Sequence, residues 1–337
     1  MKQGGGMKPK VFVTRSAIKN IAPDDYSQMA KECELEIFPL DRIIEKSELM
    51  AGVKDKDGVL ISVGDPFLDK EIIEAGNKLK IIASIGVAFS HIDIEAATAR
   101  GVFVANTPSQ DIASAVAEAT WALLLAVTKR IVEGDRDVRD GRFLGWGPAD
   151  YIGADIPEGT LGIVGFGRIG RKVAKMAQGW DLKILYADEI PADPETEREL
   201  NATRVPLETL LKESDFITLH CPLIRGKTFH LIGEKEFSMM KPTAYLVNVA
   251  RGPVIDEKAL VKALKEKRIA GAALDVFENE PALSEGMADL DNVVVTPHLA
   301  SATWRARRSY VSLAIQNLLA ALRGEVPPNL VNEDLKK

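Results

Sequence analysis

The chain of 337 residues is poor in thiols and imidazoles: two cysteines, Cys33 and Cys221, and four histidines. Two cysteines make neither a disulfide framework nor a metal-ligand cluster, and they fit a reduced, cytoplasmic setting with no bound metal. Positive charge is not in excess either. A net charge of −6 leaves no basic footprint, which speaks against nucleic acid or an anionic membrane as a partner. The longest apolar stretch, 113–127, is interrupted by Ser114, Glu118 and Thr120, and reads as too short and too polar to span a bilayer. The start, MKQGGGMKPK, has no apolar core and does not read as a signal peptide; residues 1–6, ahead of Met7, read as an appended or disordered lead. No solenoid repeat or low-complexity tract is present.

What is present is an ordinary globular balance, 46% hydrophobic and 27% charged, in a chain longer than one core usually serves. Two domains are therefore expected. Short runs rich in Val, Ile and Phe recur at 10–14, 35–38, 58–62, 80–85 and 102–104, and helical stretches lie between several of them, as at 23–31, 69–75 and 92–99. This alternation predicts a doubly wound parallel sheet with helices on both faces. After Asn106-Thr107-Pro108, residues 112–131 read as one long helix and 135–159 as irregular. A second alternating series comes next, with strands at 160–164, 182–187, 216–219, 244–249, 270–276 and 292–296 and helices at 171–178, 207–212, 234–239 and 257–267. Thr296-Pro297-His298 closes it, and a last helix spans 303–322.

The second series opens on Thr160–Asp188. A strand runs into Gly165-Phe166-Gly167-Arg168-Ile169-Gly170, a helix comes after it, and the next strand ends on an acid eighteen residues beyond Gly170. Glycines alone are a weak sign. Strand, G-x-G-x-x-G, helix and distant acid together are the dinucleotide fingerprint. Gly165 allows the tight turn, Gly167 lets backbone approach a pyrophosphate, and Gly170 lets helix and strand pack closely. The carboxylate of Asp188 suits the ribose hydroxyls of NAD and repels a 2′-phosphate, and no arginine occurs from Glu189 to Glu197 to offset it. NAD(H) is the expected cofactor, preferred over NADP.

Ligands of open α/β sheets bind beyond the carboxyl ends of the strands. There the chain places Arg251, Glu280 and His298. The planar fork of Arg251 suits a substrate carboxylate. His298 can give a proton to a carbonyl oxygen as hydride reaches carbon, and Glu280 beside it would stabilise the imidazolium and keep that proton available near neutral pH. His220 suggests contact with a cofactor rather than catalysis. His91 reads as the start of a helix, and His230 as part of a connecting segment.

These motifs together (LGIVGFGRIG, HCPL with Thr228, LVNVARGPVIDE, GAALDVFENEP and TPHLASAT) resemble the D-isomer-specific 2-hydroxyacid dehydrogenases over about Lys10 to Asn332. The resemblance implies two Rossmann-like domains: a discontinuous substrate domain, 7–106 plus 299–337, and an inserted NAD domain, 107–298, with a dimerisation helix and arm over 110–155. It assigns Arg251, Glu280 and His298 to the active site. Cofactor contacts map onto Gly165, Gly167, Arg168, Ile169, Gly170, Asp188, Cys221, Pro222, Thr228, Val249, Ala250, Arg251, Asp275, His298 and Ala300, with Asp275 facing the nicotinamide amide. The substrate loop, usually V-G-x-D-N-x-D, stands here as Val87-Ala88-Phe89-Ser90-His91-Ile92-Asp93, so backbone N–H groups of Val87 and Ala88 would meet the substrate carboxylate. Ala88 in place of Gly and Ser90 in place of Asp are departures that bear on substrate size.

Within the family, Glu280 argues against formate dehydrogenase and Gly86 against phosphite dehydrogenase. FLGWGPADYIGADI is similar to the glyoxylate and hydroxypyruvate reductases, in which such a Trp reaches the neighbouring subunit's site; Trp146 would then either help select substrate across a homodimer or only pack the interface. The implied activity is NAD-dependent interconversion of a small 2-keto acid and its D-2-hydroxy acid. A short D-3-phosphoglycerate dehydrogenase is the same-class alternative, and a nicotinamide-sensing binding protein of the corepressor type the more distant one.

Overall fold

The computed structural model describes residues 7–40 and 42–336; the lead 1–6 lies outside them. The chain divides into two compact units, Met1–Ile112 with Thr303–Lys337, and Ala113–Ala302. The joins thus fall a few residues beyond the two punctuation points, the first inside the helix Gln110–Thr128 and the second at Thr303, the N-cap of the helix Trp304–Leu322.

Among the described residues the first unit holds five strands: β1 (Lys10–Val13), β2 (Glu34–Ile37), β3 (Gly58–Ser62), β4 (Ile81–Ile85) and β5 (Phe103–Ala105). They form one parallel sheet in the order β2-β1-β3-β4-β5. Alternate residues of each strand go to opposite faces. Val11, Val13, Leu60, Ile81 and Ala83 pack with Val311, Ala314, Ile315 and Leu318 of the last helix, Trp304–Leu322. Phe12, Val59, Ile61 and Ile82 pack on the other face with Leu49, Ile72 and Ala97. A sheet buried on both faces explains why these strands read as continuous apolar runs. It also explains why a helix nearly two hundred residues further along the chain belongs to this unit.

The second unit holds β6 (Thr160–Val164), β7 (Lys183–Ala187), β8 (Ala202–Arg204), β9 (Phe216–Leu219), β10 (Tyr245–Asn248), β11 (Gly271–Leu274) and β12 (Val293–Val295), all parallel, in the order β12-β11-β10-β9-β6-β7-β8. The chain order reverses at β6, which pairs with both β7 and β9. The crevice at such a switch point is where doubly wound sheets bind nucleotides.

Three local expectations need correction. The helix expected over 112–131 breaks: Gln110–Thr128 and Ile131–Arg139 are separate, because Arg130 takes a left-handed φ of 53°. The region 135–159 is accordingly not irregular throughout. Its first turns are helical, with ion pairs from Arg139 to Asp135 and Arg130 to Glu133 in place of any buried residue. Finally, Gln110–Thr128 is, at 19 residues, long and apolar enough to cross a membrane by length and composition, against the shorter and more polar reading. It is a largely buried core helix: the Trp121 indole donates to the Val173 carbonyl at 3.2 Å and stacks on Trp180. The edge strand β8 gave no apolar signal, since two of its three residues are exposed.

Candidate active site

The glycine turn after β6 is built as its spacing demands. Gly165 has φ +92°, and a Cβ there would lie 2.5 Å from the Cys221 backbone nitrogen, so neither its dihedral nor its surroundings admit a side chain. A Cβ on Gly170 would lie 2.3 Å from the Gly165 carbonyl oxygen, the close helix-to-turn approach expected of it. Gly167 faces open space with no atom within 4 Å. The helix starts at Arg168, earlier than the 171 expected, because Gly167 is already its N-cap; no side chain caps it. Its first N–H groups are thus left for an anion. Open backbone at Gly167 and an uncapped helix start fit the pyrophosphate of a dinucleotide.

Asp188, at the end of β7, is held rigidly. Its Oδ2 accepts from the Phe166 N–H at 2.6 Å and its Oδ1 from the Ile190 N–H at 3.0 Å, and each oxygen keeps capacity for a hydroxyl. A cation does stand close by, outside the stretch 189–197: Arg204 of β8 donates to the carbonyl oxygens of Asp188 (2.7 Å) and Glu189 (3.1 Å). Sequence reasoning missed it because a short edge strand returns it from a distance.

The loop after β9 carries His220, Cys221 and Pro222. Neither ring nitrogen of His220 has a hydrogen-bond partner among the described residues, and burial pushes the ring down to about 3, so it is neutral at physiological pH. Burial pushes the Cys221 thiol up to about 11, which leaves it inert as a nucleophile. Thr228 closes this loop: its hydroxyl donates to the Pro222 carbonyl at 2.6 Å and accepts from the Ile224 N–H at 2.7 Å.

Arg251 comes after β10, beyond Val249 and Ala250. Asn248, buried, holds this turn by donating to the Arg251 carbonyl at 3.0 Å and accepting from the Ala250 N–H at 3.0 Å. Asp275, at the end of β11, is fully buried. It accepts from the Thr296 hydroxyl (2.6 Å) and from the N–H groups of Leu299 (2.8 Å) and Ala300 (2.7 Å). It therefore pins the segment that presents His298, leaving one acceptor position for another donor. His298 has φ +53°, and its Nδ1 lies 3.0 Å from Glu280 Oε2.

Burial pushes the Glu280 carboxyl up. The His298 hydrogen bond and charge, the Phe277 N–H and the charge of Arg251 act the other way and prevail, so it is held below the ordinary carboxylate range. Glu280 and His298 meet beyond the carboxyl ends of β11 and β12, and Arg251 stands on the turn after β10, whose Gly252 packs on the Phe277 backbone that leads to Glu280.

Val87 and Ala88 belong to the first unit, in the loop after β4. The Asn106 amide donates to the Val87 carbonyl at 2.6 Å, and Gly86 N–H to the Thr107 hydroxyl at 3.0 Å, so this loop is anchored to the turn after β5. His91 precedes rather than starts its helix, Ile94–Ala99, whose N-cap is Asp93. Trp146, in the second unit, is 85% exposed.

A glycine-lined turn, an acid on the neighbouring strand and an Arg–Glu–His group on one rim define a dinucleotide-dependent oxidoreductase domain. The family model for the D-isomer specific 2-hydroxyacid dehydrogenase NAD-binding domain matches residues 121–300. The chain is 47% identical over 333 residues to a glyoxylate reductase of Thermococcus litoralis, covering 98% of each. Among solved structures it resembles a glyoxylate reductase from Paecilomyes thermophila, at 29% identity and TM-score 0.85, covering 97% of this chain and 99% of that one. It also resembles an NADPH-dependent glyoxylate/hydroxypyruvate reductase from Sinorhizobium meliloti in complex with NADP and malonate, at 28% identity and TM-score 0.82, covering 96% and 97%. The chain belongs to the D-isomer specific 2-hydroxyacid dehydrogenase family. It is an oxidoreductase acting on the CH–OH group of 2-hydroxy acids, and its second unit carries the NAD-binding domain.

Proposed function

We propose that the protein is an NADH-dependent reductase of glyoxylate, hydroxypyruvate or a similarly small 2-keto acid. The observation that carries this is the Glu280–His298 contact at 3.0 Å with the charge of Arg251 beside it, in a chain 47% identical to a glyoxylate reductase. When bound, the nicotinamide would supply the hydride. Arg251 holds the substrate carboxylate with two parallel hydrogen bonds and orients the keto carbon. His298 presents Nε2, the nitrogen not facing Glu280, to the carbonyl oxygen and gives it a proton; in the reverse direction it takes the proton back. Glu280 holds the ring by Nδ1 and stabilises its protonated form. The backbone N–H groups of Val87 and Ala88, in the first unit, are the ones that the family resemblance assigns to the substrate carboxylate.

Asp188 supports NAD over NADP. Arg204 directs donors at main-chain carbonyls, so it does not neutralise that carboxylate by direct pairing. A panel of 2-keto acids with each cofactor tests both parts of the proposal. Glyoxylate and hydroxypyruvate are expected to exceed 3-phosphohydroxypyruvate and 2-ketogluconate in kcat/KM, and NADH to exceed NADPH by about tenfold or more, the effect of ~1.4 kcal/mol. A clear preference for NADPH would remove Asp188 from its role. A preference for 3-phosphohydroxypyruvate would favour the phosphoglycerate alternative.

A homodimer is part of the same reading. The segment 131–152 leaves Ile131, Val138, Phe143, Leu144, Trp146 and Ile152 exposed, more apolar surface than one short region of a monomer ordinarily shows to water. Light scattering on the purified protein is expected to give the mass of two chains, and a single-chain mass would exclude a role for Trp146 across subunits.

A further inference from the structure

Beyond the three residues of the rim lies a second polar cluster that the proposed chemistry does not use. Glu257, the first residue of the helix Glu257–Lys265, is 1% exposed. Its Oε1 accepts from the Glu278 N–H at 2.7 Å and its Oε2 from the Ser284 hydroxyl at 2.6 Å. Glu278 answers in kind: its Oε2 accepts from the Glu257 N–H at 3.4 Å, while its Oε1 lies 2.9 Å from His230 Nε2. Each glutamate thus receives the other's backbone N–H. Glu280 lies between the two anchored points, Glu278 and Ser284.

We propose that Glu257 is a positioning residue for the Glu280–His298 pair, acting through this reciprocal clasp with Glu278 and through Ser284. The inference rests on the reading of Glu280 and His298 given above and adds residues to it. A buried carboxylate is costly unless its oxygens are satisfied, and both oxygens of Glu257 are satisfied by the loop that carries Glu280. The neighbouring turn is locked to the same loop. A Cβ on Gly252 would lie 1.9 Å from the Phe277 carbonyl carbon and oxygen, so the Arg251 turn packs directly on the backbone leading into Glu278. Arg251 on that turn is the cation that acts on Glu280, and the Glu257–Glu278–His230 contacts hold the backbone two residues before it. Freeing the loop lets Glu280 drift from His298 Nδ1, and a displacement of about 1 Å at such a group is enough to cost on the order of 10²-fold in rate.

Glu257→Ala is expected to lower kcat for keto-acid reduction about 10- to 100-fold with the KM for NADH little changed. Its pH profile should depart from that of the wild type, as a loosened Glu280–His298 contact requires. Glu257→Gln, which can still accept from Glu278 and pair with Ser284, should restore most of the rate. A Glu257→Ala protein with lowered melting temperature but an unaltered kcat and pH profile would reduce the clasp to a structural staple. Should that variant not fold, Ser284→Ala carries the test: a smaller shift in the same direction supports the proposal, and none overturns it. NMR titration of the His298 ring, without substrate, separates this inference from the reading beneath it. A titration unmoved by the substitutions overturns the clasp, whereas a wild-type protein with no keto-acid turnover overturns the function and not the clasp.

Discussion

Replacing His298 by Asn is expected to lower kcat for 2-keto acid reduction by about 10²- to 10⁴-fold, the usual contribution of a positioned general acid. Asn keeps a polar amide of similar shape and can donate a hydrogen bond to the carbonyl oxygen, yet it cannot transfer the proton. The side chain of His298 is 41% exposed and its hydrogen-bond contact is to Glu280, so folding and NADH binding should be little affected. A loss confined to kcat is therefore the signature. Glu280→Gln gives the milder companion effect: without the carboxylate at Nδ1 the ring loses the partner that holds it and stabilises its charged form, so kcat is expected to fall. On the acid side, Glu280 is held below the ordinary carboxylate range despite burial, by His298 first and then by the Phe277 N–H and Arg251. The carboxylate thus stays ionised through the ordinary carboxylate range, and loss of its charge sets in only below that range. A His298→Asn protein with wild-type kcat would leave the proton without a donor and refute the assignment.

The second large effect is expected at the glycine turn. Gly165→Ala should destabilise the fold and weaken NADH binding together. The position has φ +92°, which costs an alanine on the order of 1–3 kcal/mol. Its methyl would also meet backbone, the Cys221 nitrogen at 2.5 Å and the His220 carbonyl carbon at 2.7 Å, which no rotamer change relieves. Overpacking adds about 1–3 kcal/mol more. Any shift that relieves the clash moves the turn that must lie against the pyrophosphate, and each ~1.4 kcal/mol lost there is tenfold in affinity. Gly167→Ala is the informative contrast. Its Cβ would enter open space, so stability should hold while NADH affinity falls, because the methyl lies on the face left for the pyrophosphate. Chemical denaturation and NADH fluorescence titration read the two quantities separately. A Gly165→Ala protein with unchanged stability, or a Gly167→Ala protein with unchanged affinity, would contradict the account of this turn.

The legible parts of the chain were those whose physics is local. Gly165, Gly170 and Asp188 announce a nucleotide turn because turn, close packing and terminal acid each demand a residue type at a fixed spacing. The doubly wound sheets were legible because strands buried on both faces must read as apolar runs. Arg251, Glu280 and His298 were legible because each comes shortly after a strand, and a parallel sheet converts that shared position into proximity. What stayed hidden was set by contacts between distant segments. Arg130 breaks a helix in the left-handed region without a glycine to announce it. Arg204 reaches Asp188 from β8, a strand too short and exposed to carry a pattern. Asp275 was expected to meet the cofactor. Its three bonds to Thr296, Leu299 and Ala300 show a carboxylate that also fixes the segment carrying His298. Glu257 and Glu278 lie 21 residues apart, on a helix start and a loop; both stand inside the motifs LVNVARGPVIDE and GAALDVFENEP, but nothing in those runs shows that they pair. His230, read as mere connection, proves to be one end of that cluster.

The central claim is that this site reduces a small 2-keto acid with hydride from NADH, on the face that gives the D-hydroxy acid. Steady-state oxidation of NADH with hydroxypyruvate, and then chiral analysis of the glycerate formed, tests it most directly. Turnover at about 1–10³ s⁻¹, the ordinary range for enzymes, with D-glycerate as the product is the predicted result. No turnover of hydroxypyruvate or glyoxylate with NADH, or glycerate of the L configuration, would contradict it.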